Sequence, residues 1–362
     1  MAGAEQQDPF FRHRLALSVA ATDLAGAELR DVLRKVAASG ASGFADFLRQ
    51  QKLASYWHHL VAGRDAAGEI GPGFVDALKQ ARLSEAAFYL AQKSVLQELD
   101  SILKAQGIIY AAIKGAQVRE QVYLDPAQRP AQDIDILINP DQREAAARAV
   151  IVAGFKLYAE PDNISHEATF TRGAIAIDLH WDILRPGRTR VDLVPLLLGR
   201  RQRVGDFWGL DDSDAVFLML VHPTFTKYVC SPNMGLISVV DFMLWLQNRH
   251  VDWDAVFDRL NDAGLKAAAW IVLKWFSMLL EPVDLPVPTS FINRIYPGPA
   301  RSRYLAYWLQ HDLPTRWIDR PLLIQIGLTL FLHDRASDAA YAISGLMRAR
   351  RMRNLDPLLA MR

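Results

Sequence analysis

The chain has 362 residues, 51% of them hydrophobic and 22% charged, with a formal net charge of +1. That balance is ordinary for a globular protein with a sizeable core and more than one domain; it excludes general disorder and lacks the strongly basic stripe of a nucleic-acid binder. The single cysteine, Cys230, excludes an intramolecular disulfide and a cysteine-based zinc site, so a packed thiol and a reducing cytoplasm are expected.

Residues Met1 to Asp8 lack a basic region followed by an apolar stretch, so no secretory signal is expected. From about Asp23 to Ala105 apolar residues recur at helical spacing, as in Leu29, Val32, Leu33 and Val36, then Phe44, Phe47, Leu48 and Leu53. This predicts a helical N-terminal region, 1–105. The loop Gly63 to Gly73 interrupts it, and Pro72 is placed to open a helix that continues through Leu99 and leads into the first strand.

Between 106 and 185 the period changes. Short β-rich runs at 108–113, 134–138, 155–158, 167–170 and 175–181 are separated by turns and one helix, with Asp141 as expected N-cap, Glu144 as its capping-box partner and Gly154 as the stop. In a strand over 134–138 the period of two puts Asp133 and Asp135 on one face while Ile134, Ile136 and Ile138 fill the other. The same parity in 175–181 sends Ile175, Ile177 and Leu179 into a core and sets Asp178 and His180 opposite. Two neighbouring strands would then converge three carboxylates, which raise one another's pKa unless a cation intervenes. Carboxylate oxygens suit Mg²⁺, bound through one or two carboxylates plus substrate phosphates. His166-Glu167 lacks a second histidine at helical spacing and reads as strand surface.

After Pro186 the pattern returns to helices, expected at Asp214 to His222, Leu236 to Asn248, Trp253 to Ala263, Leu265 to Leu280 and beyond Arg301. Glu281 to Thr289 reads as a proline-rich connection, and Pro321 to Leu332 is too short to span a bilayer, which needs about 20 residues. Arg348, Arg350, Arg351 and Arg353 read as a solvated helix face, and the tryptophans, Trp57, Trp245 and Trp275 among them, as core. The expected fold is α+β: a small mixed sheet at 106–185 flanked by helical regions at 1–105 and 186–362. No Walker-A loop, Gly-x-Ser-x-Gly elbow, His-Glu-x-x-His helix or dinucleotide fingerprint is found.

Taken together, Ile113-Lys114-Gly115, Arg129 before Asp133-Ile-Asp135, Gly154-Phe155 and Asp178-Leu-His-Trp181 resemble a bacterial nucleotidyltransferase-like family of the polymerase-β superfamily. The resemblance covers roughly Leu103 to Trp181 closely, and more loosely the flanking helices with His222, Lys227 and Asp241. It implies a nucleotidyltransferase core in which Asp133, Asp135 and Asp178 hold Mg²⁺, as a two-metal site, and carry the chemistry on a nucleoside triphosphate such as ATP. It further implies Lys114, Gly115 and Arg129 as nucleotide-binding residues, with Asp178 able to accept the acceptor's proton. The wider superfamily has Gly-Ser where this chain has Lys114-Gly115, so a lysine stands in for the phosphate-contacting serine.

Alternative roles stay open for several of these. Arg129 either contacts ligand or pairs with Asp133 or Asp135; His180 either touches phosphate or metal or is a supporting residue behind them; His222, Lys227 and Asp241 either line an acceptor cleft or form a buried polar network. The expected function is transfer of a nucleoside monophosphate from an NTP to an unidentified small-molecule or protein acceptor. The alternatives are a catalytically silent nucleotide sensor or scaffold of the same fold, and an acidic face that docks a basic protein. The sequence sets neither the acceptor nor the oligomeric state.

Overall fold

The computed structural model describes residues 10–21, 26–62, 67–158, 166–352 and 358. Asp23, Met1 to Asp8, residues 63–66 of the interrupting loop, Arg353 and the side chains of Arg348, Arg350 and Arg351 lie outside what is described. The chain opens with helices α1 Phe11–Ala21, α2 Gly26–Ala38, α3 Ala41–Gln50, α4 Ala54–Val61 and the short α5 Ala67–Ile70, followed by the 34-residue α6, Pro72–Ala105. Pro72 begins α6 because its fixed φ suits a first helical turn that lacks intrahelical N–H partners. Phe74 and Leu78 near the start of α6 join the core of the helical regions, whereas Val95, Leu96, Leu99 and Leu103 near its end pack on the sheet. One helix thus spans both cores.

Among the described residues the sheet has seven strands: β1 Tyr110–Ala112, β2 Asp133–Ile138, β3 Lys156–Leu157, β4 Glu167–Arg172, β5 Ile175–His180, β6 Gln202–Val204 and β7 Phe207–Gly209. Their order is β3-β4-β5-β2-β1-β7-β6, with β2 parallel to β5 and antiparallel to β1. One face, built from Ile134, Ile136, Ile138, Phe170, Ile177 and Leu179, packs with the end of α6 and with Ala146, Ala147 and Val150 of α8. Between β1 and β2 lies α7, Lys114–Val122, and α8 is Arg143–Val152. Burial of that apolar face dictates the register, because a one-residue slip would put the aspartates into the core.

Two local expectations are corrected. Asp141 lies in a 3₁₀ turn, Pro140–Gln142, and α8 opens at Arg143 with no side-chain cap, so no capping box forms; Gly154 does stop the helix, at φ +85°. The stretch after Pro186 is not wholly helical: after α9, Val194–Gly199, the hairpin β6–β7 turns at Gly205 and extends the sheet beyond β1.

Of the helices that follow, α10 Asp212–Phe225 and α11 Ile237–Asn248 close over the polar face of the sheet, and α12 Trp253–Ala263 and α13 Lys266–Leu280 pack behind them. Asp211 caps α10 by accepting from the Asp214 N–H, and Asp252 caps α12 by accepting from the Asp254 and Ala255 N–H groups. Shorter helices occupy 289–295, 299–310, 313–316 and 321–327, and a last one 336–352. Trp57, Trp245 and Trp275 are core, Cys230 is a buried thiol, and among the described residues no helix is long and apolar enough to cross a membrane.

Candidate active site

Parallel pairing of β2 with β5 sets Asp135 directly beside Asp178, and Asp133 beside Ala176. Paired residues on adjacent strands share a face, so the three carboxylates gather on the side of the sheet turned from the apolar core. Asp135 is the most enclosed, 4% exposed. Lys114 Nζ donates to its Oδ1 at 2.7 Å, and His180 Nε2 lies 2.8 Å from the same oxygen. On its other side, His180 Nδ1 is 3.0 Å from Glu167 Oε2, placing the imidazole between two carboxylates. Thr169, opposite Asp178 on β4, donates its hydroxyl to Asp178 Oδ1 at 2.6 Å.

These contacts divide the acids into two electrostatic classes. Burial works against ionising Asp135, but Lys114 and His180 outweigh it and hold the carboxyl far below its ordinary range. Glu167 is likewise held at about 2, the His180 contact overcoming burial. Asp133 goes the other way: the charge of Asp135, then burial and Asp178, push it up to about 6. Asp178 is raised too, by burial and by Asp135, against the Thr169 hydrogen bond. For His180, burial and Lys114 oppose the charged form, yet Asp135 and Glu167 leave its pKa raised.

At the rim of this floor the chain leaves β1 and enters α7. The residue in the left-handed conformation there is Lys114, at φ +52°, rather than Gly115. Gly115 is needed for space: a β-carbon would collide with the Arg129 guanidinium and sit 3.2 Å from Ala131 Cβ. Arg129 pairs with neither Asp133 nor Asp135. It forks onto Asp241 of α11, with Nη2 to Oδ2 at 2.8 Å and Nε to Oδ1 and Oδ2 at 3.3 and 3.2 Å. Tyr123 donates its hydroxyl to the same Asp241 Oδ1 at 2.7 Å.

A cavity of about 280 Å³ opens above the carboxylates. It is lined by all the residues singled out from sequence save His180, which backs Asp135 from the floor, and His222, Lys227 and Asp241 reach it from the helical side. His222 is buried against Thr226, and burial with the charges of Lys114 and Lys227 holds its pKa well below the ordinary histidine value. The sequence reading missed Lys52, which enters from the turn between α3 and α4, and it misassigned His166 and Glu167. These two also line the cavity; His166 is 3% exposed, with burial pushing its pKa down to about 3. The available signal was register: Glu167 stands opposite His180 on β5 and therefore shares the acidic face.

The residues present fit a hard divalent cation. Ligand atoms of Asp135, Asp178 and His180 lie within 4.8 Å of one another, and Asp133 beside them is held up to about 6 by like-charge crowding that a cation would relieve. Residues 38–281, more than half of the chain, match the model of a family described as an uncharacterised nucleotidyltransferase. The chain belongs to this family. Comparison with curated proteins gave no match. In this nucleotidyltransferase-family protein the matched span begins before the Lys52 turn and ends just past α13, so it takes in every segment that lines the cavity.

Proposed function

We propose that the protein transfers a nucleoside monophosphate from an NTP to a small-molecule or protein acceptor and releases pyrophosphate, using Mg²⁺ held by Asp133, Asp135 and Asp178. The observation that carries this reading is the Asp135–Asp178 register pair, with Asp133 two residues earlier, at the floor of a cavity walled by cations. Bound Mg²⁺ would supply Lewis-acid neutralisation of the charge that develops on the phosphate oxygens. In the transfer, a bond forms between the acceptor's nucleophilic atom and the α-phosphorus as the bond from that phosphorus to the bridging oxygen of pyrophosphate breaks.

Asp178 is the group suited to take the acceptor's proton, since its pKa is raised and the Thr169 hydroxyl fixes one of its oxygens. Asp135 stays ionised at working pH because Lys114 and His180 attend it, and Glu167 holds the far side of that imidazole. Arg129, with Gly115 packed against it, steadies the turn where triphosphate would enter, its charge balanced by Asp241. Titration with ATP, CTP, GTP and UTP, with and without Mg²⁺, tests the reading in the native chain and in Asp133→Asn. Metal-dependent affinity for a triphosphate, lost in the variant, supports it; no triphosphate binding under any condition overturns it.

A second reading is favoured by the Lys114–Asp135 pair. The turn bears lysine where a serine is usual, and its ammonium is spent on a carboxylate of the floor. A protein that binds NTP as a sensor without turnover would suit that arrangement. Pyrophosphate release above background, abolished by Asp133→Asn, excludes it.

A further inference from the structure

The cavity holds cations that its carboxylates do not absorb. Lys114 is paired with Asp135 and Arg129 with Asp241. Among the described residues the ammonium groups of Lys52 and Lys227 have no hydrogen-bond or ion-pair partner, although both line the cavity. Lys227 is exposed just after α10, while Lys52 is partly buried and comes from the N-terminal helices.

The Lys52 turn is fixed. Gln51 is 7% exposed; its side-chain oxygen accepts from Leu236 N at 3.0 Å and its main-chain oxygen from Ile237 N at 3.3 Å. Leu53 N donates back to Leu48 O at 2.8 Å. Lys52 itself takes φ +60°, a conformation a β-carbon disfavours and which persists where the surroundings over-determine it. The turn is thereby held against the start of α11, the helix that carries Asp241. Burial lowers the Lys52 pKa, and the charges that act on it are Arg129, Asp133, Lys227 and Asp241. Asp133 and Asp241 offset Arg129 and Lys227 only at a distance, and a partly desolvated ammonium without a direct ion-pair partner gains when a polyanion arrives.

We propose that Lys52, with Lys227, forms the subsite for the β- and γ-phosphates of the nucleoside triphosphate. This rests on the NTP reading above and adds to it: the N-terminal helices supply a substrate-binding residue, and the site recognises the length of the phosphate chain. Lysine acts here as a point charge on oxygens that the acidic floor would repel.

Calorimetric titration of the native chain, Lys52→Met and Lys52→Gly with the Mg²⁺ complexes of the preferred NTP, its diphosphate and its monophosphate, and with inorganic tripolyphosphate, tests the assignment. Glycine accepts the left-handed backbone and preserves the turn. Both variants are expected to bind triphosphate about tenfold more weakly, the loss expected for one charge-assisted contact, with monophosphate affinity unchanged. Triphosphate affinity unchanged in both variants overturns the Lys52 assignment while leaving nucleotide binding intact. Equal losses for tri- and monophosphate also overturn it, marking the residue as structural. A native chain that binds neither NTP nor tripolyphosphate overturns the NTP reading and the subsite together.

Discussion

Arg129 and Asp241 form a forked ion pair across 112 residues of sequence, joining the loop that feeds β2 to the helix that roofs the site. Both side chains are largely buried, so the pair is worth more as a constraint on geometry than as net stability. Asp241→Ala leaves the guanidinium and the Tyr123 hydroxyl without their acceptor and should lower unfolding free energy by about 3–5 kcal/mol. Urea denaturation measures this. A smaller loss than that of an ordinary surface substitution would show that the pair does not hold the roof.

Gly115→Ala tests the other side of the same guanidinium. The added methyl meets Arg129, which Asp241 pins in place, and overpacking of this kind costs about 1–3 kcal/mol. In an Arg129→Met background the penalty should largely vanish. A penalty of the same size in both backgrounds would trace it to helix geometry instead.

Asp133 gives a pH signature. Its folded pKa, about 6, lies above its ordinary 3.8, so the folded state holds the proton more tightly and stability falls as pH rises from about 4 to about 6. Glu167, held at about 2 against an ordinary 4.5, has the opposite sign: its contribution is lost as pH falls below 4.5 towards 2. The difference in stability between the native chain and Asp133→Asn isolates the first effect, and the variant should become relatively more stable across that window in metal-free buffer. A flat difference from pH 4 to pH 7 would remove the like-charge account.

Lys114→Met exposes the balance on Asp135. Without the ammonium, a buried carboxylate retains only His180, and the metal-free protein should melt lower. Mg²⁺ should then raise the melting temperature of the variant more than that of the native chain, because the cation replaces the missing charge. Equal Mg²⁺ shifts in the two proteins would place the cation away from Asp135.

The acidic floor was legible because strand parity is local: alternating isoleucines in 134–138 and 175–179 fix which way Asp133, Asp135 and Asp178 point, whatever surrounds them. The α+β arrangement followed from the change of period alone. His166 and Glu167 were read as strand surface because nothing local marks His166 as buried or shows that β4 pairs with β5 so as to set Glu167 opposite His180. Lys52 was invisible for the same reason, being a single lysine in a turn between amphipathic helices. The β6–β7 strands, three residues each, are too short to show a period.

The order of the strands also bears on association. Among the described residues the sheet ends in β3, two residues long, at one margin and β6, three residues long, at the other, and each carries an exposed basic side chain, Lys156 and Arg203. Short, charged margins offer a poor template for an added strand, which protects a seven-stranded sheet from edge-to-edge aggregation. Association through helices and loops is thereby favoured over the addition of a strand.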